Sequence, residues 1–61
     1  MRYSMGPYEY KVVRLDGDYA HLLRTDIETD DTIIIARALL PDEIDEGTRL
    51  LWENLEYTII G

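Results

Sequence analysis

A chain of 61 residues has room for one small core, because folding at this length buries only about 60% of the surface that the extended chain exposes. With 46% hydrophobic and 31% charged residues it has the composition of a globular protein, not of a disordered tail or a fibre. Its 13 acidic against 6 basic residues give a net charge of -7, which repels phosphate backbones and anionic membrane surfaces and so argues against both as partners.

The chain has no cysteine, so disulfides, thiolate zinc sites and thiol nucleophiles are excluded and the core must rest on packing or on association. The first seven residues show no periodicity and end in Gly6 and Pro7, which predicts a loose leader over 1–7 and one small β-domain over 8–61. No apolar stretch follows Arg2, as a secretory signal requires, and the longest apolar run, residues 33–36, is far shorter than the roughly 18 residues of a membrane span. A cytoplasmic location is the resulting expectation.

From Tyr8 onward the pattern is that of a strand. Tyr8, Tyr10 and Val12 share one parity and Val13 and Leu15 the other, and the slip between them predicts either a bulge or partial cover on both faces. Asp16 and Gly17 then stand between two apolar runs, which predicts a two-residue hairpin of type I′, since that turn needs positive φ at both central residues. The returning strand starts at Tyr19 and dissolves at Thr25 into an acidic loop that ends at Asp31.

Thr32, Ile33, Ile34, Ile35 and Ala36 follow, and three consecutive β-branched residues predict a central strand buried on both faces. That strand is expected to run on to Pro41, which biases its predecessor away from helix and cannot donate to a ladder. Between Pro41 and Glu46 a proline, four acids and a closing Gly47 predict one short helical turn. Two more strands follow around a tight turn near Asn54. A single helix over residues 41–55 competes with that reading, because Leu40, Ile44, Leu51 and Leu55 also fall near helical spacing, although Gly47 and Thr48 at its middle would cost it about 1 to 1.5 kcal/mol.

The fold class expected is therefore all-β with little helix: a single five-stranded, mostly antiparallel small barrel or roll, SH3-like or OB-like. Its core is expected around Val12, Leu22, Ile34, Leu50 and Trp52, or their alternates along each strand.

Two stretches carry a resemblance. The run from Val13 to Leu23, and after the acidic loop Ile35-Ala36-Arg37-Ala38-Leu39-Leu40-Pro41 followed by Glu46-Gly47-Thr48, resemble a family of short uncharacterised prokaryotic proteins. That family reads roughly V-x-R-[IL]-E-G-[DE]-x-A, then I-P-R-x-L-L-P and E-G-D. The similarity spans about residues 12–52, with Asp16, Ala36 and Thr48 departing from the family's Glu, Pro and Asp. It implies a single small β-domain, sometimes appended to larger enzymes, and carries over no site residue.

Catalytic chemistry is not in view. His21 is the one histidine and Ser4 the one serine, and Ser4 falls in the expected leader, so no nucleophile and base are paired. His21 alternates with Ala20 and Leu22 and is expected to face solvent. Asp26, Glu28, Asp30 and Asp31 lack the glycine bend and terminal glutamate of a calcium loop, and Gly6, Gly17, Gly47 and Gly61 are too dispersed for a phosphate loop. A barrel this small is filled by its own side chains. No enzyme activity, cofactor, metal site or small-molecule substrate is expected.

The aromatic set is more suggestive. Tyr and Trp suit places where one end is dry and the other wet, at the rim of a core or on a recognition surface. Trp52 is expected mainly in the core. The candidate interaction surface is Tyr8, Tyr10, Tyr19, Tyr57 and Ile59, a groove flanked by acidic loops that suits a proline-rich or basic peptide. The expected function is a non-catalytic protein-interaction or self-associating module. A homodimer through the edge from Leu55 to Ile60 is one form of it, and a small nucleic-acid-binding barrel, disfavoured by the charge, is the alternative.

Overall fold

The computed structural model describes residues 7–61, so all of the expected leader but Pro7 lies outside the described residues. Five strands, β1 (Tyr8–Asp16), β2 (Tyr19–Arg24), β3 (Thr32–Ala36), β4 (Arg49–Glu53) and β5 (Glu56–Ile59), form one antiparallel sheet in the order β3-β2-β1-β4-β5. The longest strand, β1, is the centre, paired with β2 on one side and β4 on the other.

The parity slip in β1 is a bulge. Val12 lies opposite Leu22 and Arg14 opposite His21, so Val13 is the extra residue. An inserted residue reverses the alternation of faces, and the bulge thereby turns Leu15, as well as Tyr8, Tyr10 and Val12, toward one face. Opposed residues in an antiparallel ladder share a face, so Ala20, Leu22, Leu50, Trp52 and Tyr57 lie on that face too.

The first hairpin forms where expected but with a shifted turn. Asp16 pairs with Tyr19, leaving Gly17 and Asp18 as the two central residues. Gly17 has φ +61, whereas Asp18 is not among the positive-φ residues, which is the φ pattern of type II′ and not type I′. The second two-residue hairpin, between Glu53 and Glu56, has positive φ at both centres, Asn54 at 53 and Leu55 at 67, as type I′ requires.

β3 is an edge strand, not the central one. The acidic loop returns the chain to the outer side of β2, so β1 keeps its second side for β4, and the three isoleucines are not buried on both faces. Ile33 and Ile34 are 39% and 59% exposed, while Ile35, the alternate of Ile34, packs against the core. The strand also stops at Ala36, short of Pro41. Arg37 N–H donates to Asp18 O at 2.8 Å, the last rung available because β2 begins at the turn; beyond it the chain makes a 3₁₀ turn over Arg37–Leu39.

The helical turn expected between Pro41 and Glu46 is thus found earlier, and residues 41–48 form two turns instead. Leu40, before the proline, is extended at φ -118 and ψ 159. Gly47, at φ +94, donates to Val12 O at 2.7 Å while Val12 N–H donates to Thr48 O at 2.8 Å. The competing helix over residues 41–55 is ruled out, since Arg49–Glu53 is a strand.

Residues 37–48 bring Leu40 and Ile44 onto the core face of the sheet. Val12, Ala20, Leu22 and Leu50 are fully buried beneath them, with Tyr10, Leu15, Ile35 and Tyr57 at the margin. Burying side chains such as Leu22 or Leu50 stabilises by about 1.5 to 3 kcal/mol each. The sheet is not closed into a barrel: β3 and β5 are its two edges, and Leu40 and Ile44 do the covering that closure was expected to do.

Candidate interaction surface

One end of the core face is lined with aromatic side chains. Tyr8 on β1 lies opposite Trp52 on β4, which lies opposite Tyr57 on β5; one rung inward Tyr10 lies opposite Leu50, which lies opposite Ile59. Strand pairing thereby brings together four of the five expected surface residues, Tyr8, Tyr10, Tyr57 and Ile59. Tyr19 is not with them. It sits at the far end of β2 between Asp16 and Ala36, on the opposite face, 54% exposed.

The rings are packed on one another. Tyr8 and Trp52 stack with centroids 5.4 Å apart and planes 7° from parallel, while Tyr10 and Tyr57 meet tilted at 6.0 Å and 55°. Such pairs are worth about 0.5 to 1.5 kcal/mol beyond the area they bury. Trp52, expected in the core, is half-buried, which puts it at the wet rim where an indole N–H can reach a partner.

Arg24 completes the arrangement. It lies opposite Tyr10 in the ladder, and its guanidinium carbon sits 4.1 Å from the centroid of the Tyr8 ring. Asp26 holds it there through Nε to Oδ1 at 2.7 Å and Nη2 to Oδ2 at 3.0 Å, a two-pronged bond that fixes the plane of the cation. The bond to Arg24 holds the Asp26 carboxyl below its usual range, and the same bond raises Arg24. Burial pushes the Tyr57 phenol up, with help from Tyr10. Arg24 and Asp26 were not evident in the sequence, where their only mark is an i, i+2 spacing at a strand end.

The surroundings are acidic. The loop carrying Asp26, Glu28, Asp30 and Asp31 leaves β2 at this end, and Glu53 and Glu56 flank the β4–β5 turn on the face opposite Trp52 and Tyr57. Arg24 is already engaged by Asp26. Among the described residues no cavity opens, and no three His, Asp or Glu side chains are placed to hold a metal ion. His21 is half-buried between Arg14 and Ile34, on the face away from the aromatic rows. No described helix is long and apolar enough to cross a membrane.

No family model matches the chain, and none of the curated proteins or solved structures searched matches it either.

Proposed function

We propose that this chain is a non-catalytic protein-interaction module whose aromatic rows take an extended segment bearing Lys or Arg. The observation that carries the reading is the cluster of Tyr8, Tyr10, Trp52 and Tyr57, half-buried on one sheet face, with the acidic loop leaving β2 beside it at Asp26, which holds Arg24 over Tyr8. Aromatic rims supply contact area at low entropic cost, and carboxylates beside them favour cationic partners through complementary potential. A flat rim without a cavity suits a peptide better than a small molecule.

In the same reading the sheet is a partly open roll, a shape supported by full burial of Val12, Ala20, Leu22 and Leu50 under Leu40 and Ile44. The resemblance to short prokaryotic β-domains is compatible with such a module and adds no residue to it. A nucleic-acid partner is less favoured, because the net charge is -7 and the one cation in the rows is neutralised by Asp26.

The test uses Trp52, the only tryptophan, as its reporter. Decapeptides selected from a random display library should be enriched in Lys or Arg, should change Trp52 emission on titration, and should bind at least tenfold more weakly to Tyr57→Ala. Failure to enrich any peptide overturns the proposal, as does an affinity unchanged in Tyr57→Ala. Tighter binding to oligothymidylate, weakening steeply with salt, would transfer the surface to single-stranded nucleic acid.

A further inference from the structure

The outer edge of β3 has a symmetry that its pairing to β2 reveals. Arg37 N–H donates to Asp18 O, and the ladder continues Ala36 with Tyr19, Ile35 with Ala20, Ile34 with His21, Ile33 with Leu22 and Thr32 with Leu23. In an antiparallel ladder, inward and outward backbone groups alternate. Arg37, Ile35 and Ile33 therefore turn their N–H and C=O groups to β2, and Thr32, Ile34 and Ala36 turn theirs outward. These three are symmetric about Ile34.

The edge also lacks the usual protections. Thr32–Ala36 contains no proline, glycine or charge, and no described strand pairs with its outer side. Natural edges of this composition are normally blunted by a lysine, a proline or a bulge, because an exposed row of unpaired groups is a template for another strand. The charges lie just outside it, Asp30 and Asp31 before the strand and Arg37 after.

We infer that this edge pairs antiparallel with the same edge of a second copy, about a two-fold axis through Ile34. In that register Ile34 exchanges both backbone hydrogen bonds with Ile34 of the second copy, and Thr32 does the same with Ala36 of the second copy. Asp31 falls opposite Arg37 of the second copy, once on each side of the axis. The alternative, a parallel pairing, sets Asp30 and Asp31 of the two copies side by side. This complementarity of ends selects another copy of the chain over a foreign strand, because an unrelated segment would need to match both the outward spacing and the charges.

The pairing also accounts for the exposed isoleucines. Ile34, 59% exposed, is covered by its counterpart across the axis, and Ile33, 39% exposed, meets Ile35 of the second copy on the other face. A five-residue strand makes a small interface, of the size typical of transient association, so the dimer should dissociate on dilution.

Light scattering over about a hundredfold range of concentration should show the mass passing from monomer to dimer. Asp31→Arg and Arg37→Asp should each weaken association by roughly tenfold, and the two changes together should restore it. Ile34→Lys, checked for fold by circular dichroism, should stay monomeric. Since the natural chain has no cysteine, Ile34→Cys gives a readout that does not depend on that variant folding: its oxidised dimer should form faster than that of Val13→Cys, at an exposed position off this edge. A monomer throughout, a dimer that survives Ile34→Lys, a double swap that does not restore association, or equal cross-linking of the two cysteine variants overturns the inference.

Discussion

Leu55 occupies a backbone conformation that suits glycine, and replacing it should stabilise the protein. With φ at 67, Leu55 is in the left-handed region, where a Cβ meets the following carbonyl at a cost of about 1 to 2 kcal/mol. Its side chain is 71% exposed, so Leu55→Gly forfeits little apolar burial. The opposing term is the greater freedom of glycine in the unfolded chain, about 0.4 to 1 kcal/mol. The difference leaves Leu55→Gly more stable by about 0.5 to 1 kcal/mol, and at 4 to 8 °C per kcal/mol for a domain this small the melting temperature should rise by about 2 to 8 °C. Urea unfolding followed by Trp52 emission, two residues before the turn, measures it directly. Asn54→Gly is the control: asparagine tolerates positive φ, so its gain should be much smaller. A Leu55→Gly variant that melts at or below the natural temperature would show that Leu55 contributes more through its side chain than its backbone loses.

At the first hairpin the opposite change should harm. Gly17→Val sets a β-branched residue at φ +61, where no atom lies within 4 Å of the new Cβ; the loss, about 2 kcal/mol, is backbone strain alone, and an unchanged urea midpoint would refute it. Leu22→Ala, at a fully buried site, should cost about 2 to 5 kcal/mol. That is a large share of the roughly 3 to 9 kcal/mol a domain of this size has, so the far-ultraviolet spectrum at 37 °C should show substantial unfolding. The Arg24–Asp26 bond should be acid-sensitive. Asp26 is held below its ordinary 3.8, so its stabilisation is complete above that pH and is lost as pH falls through the lower folded value; the difference in stability between the natural chain and Asp26→Asn should shrink on acidification, and a difference independent of pH refutes the link. Tyr57 acts at the other end, since a phenol raised above its ordinary 10.0 withholds stability as pH rises past 10.0, and Tyr57→Phe should flatten that decline.

What the sequence reveals here is local, and what it conceals is pairing. Glycine between two apolar runs marks the first hairpin because φ is a property of one residue, and the slip at Val12 and Val13 marks the bulge because face alternation is counted along one strand. Strand order is a different kind of quantity. Ile33, Ile34 and Ile35 have the composition of a buried strand, yet β3 lies at an edge because β1, nine residues long, is flanked by β2 and β4. Ile34 and Ile35 differ only in parity, and only the register with His21 and Ala20 separates the exposed one from the packed one. The same holds for Arg24. Nothing in its neighbours announces a cation over Tyr8, which is 16 positions away in the chain and arrives beside it when β1 and β2 align. Leu55 shows the remaining kind of concealment, where a hairpin forms on a sequence that lacks the glycine its turn favours, held by the cross-strand pairs Trp52–Tyr57 and Leu50–Ile59 on the core face of β4 and β5.

The two proposed surfaces lie far enough apart to operate together. The aromatic rows rest on β1, β4 and β5 and the self-complementary edge is β3, with β2 between them. A dimer through β3 would continue one sheet across both copies and present two sets of aromatic rows without covering either. Two such sites engaging one extended partner, or neighbouring partners, gain effective concentration with no new contact, often by two orders of magnitude or more. Weak pairing at β3 would then turn a weak single-site grip into a strong one when protein concentration rises, and Ile34→Lys should abolish that gain for a divalent basic peptide while leaving the affinity for a monovalent one unchanged. Equal losses for both peptides would mean that the edge and the aromatic rows form a single surface.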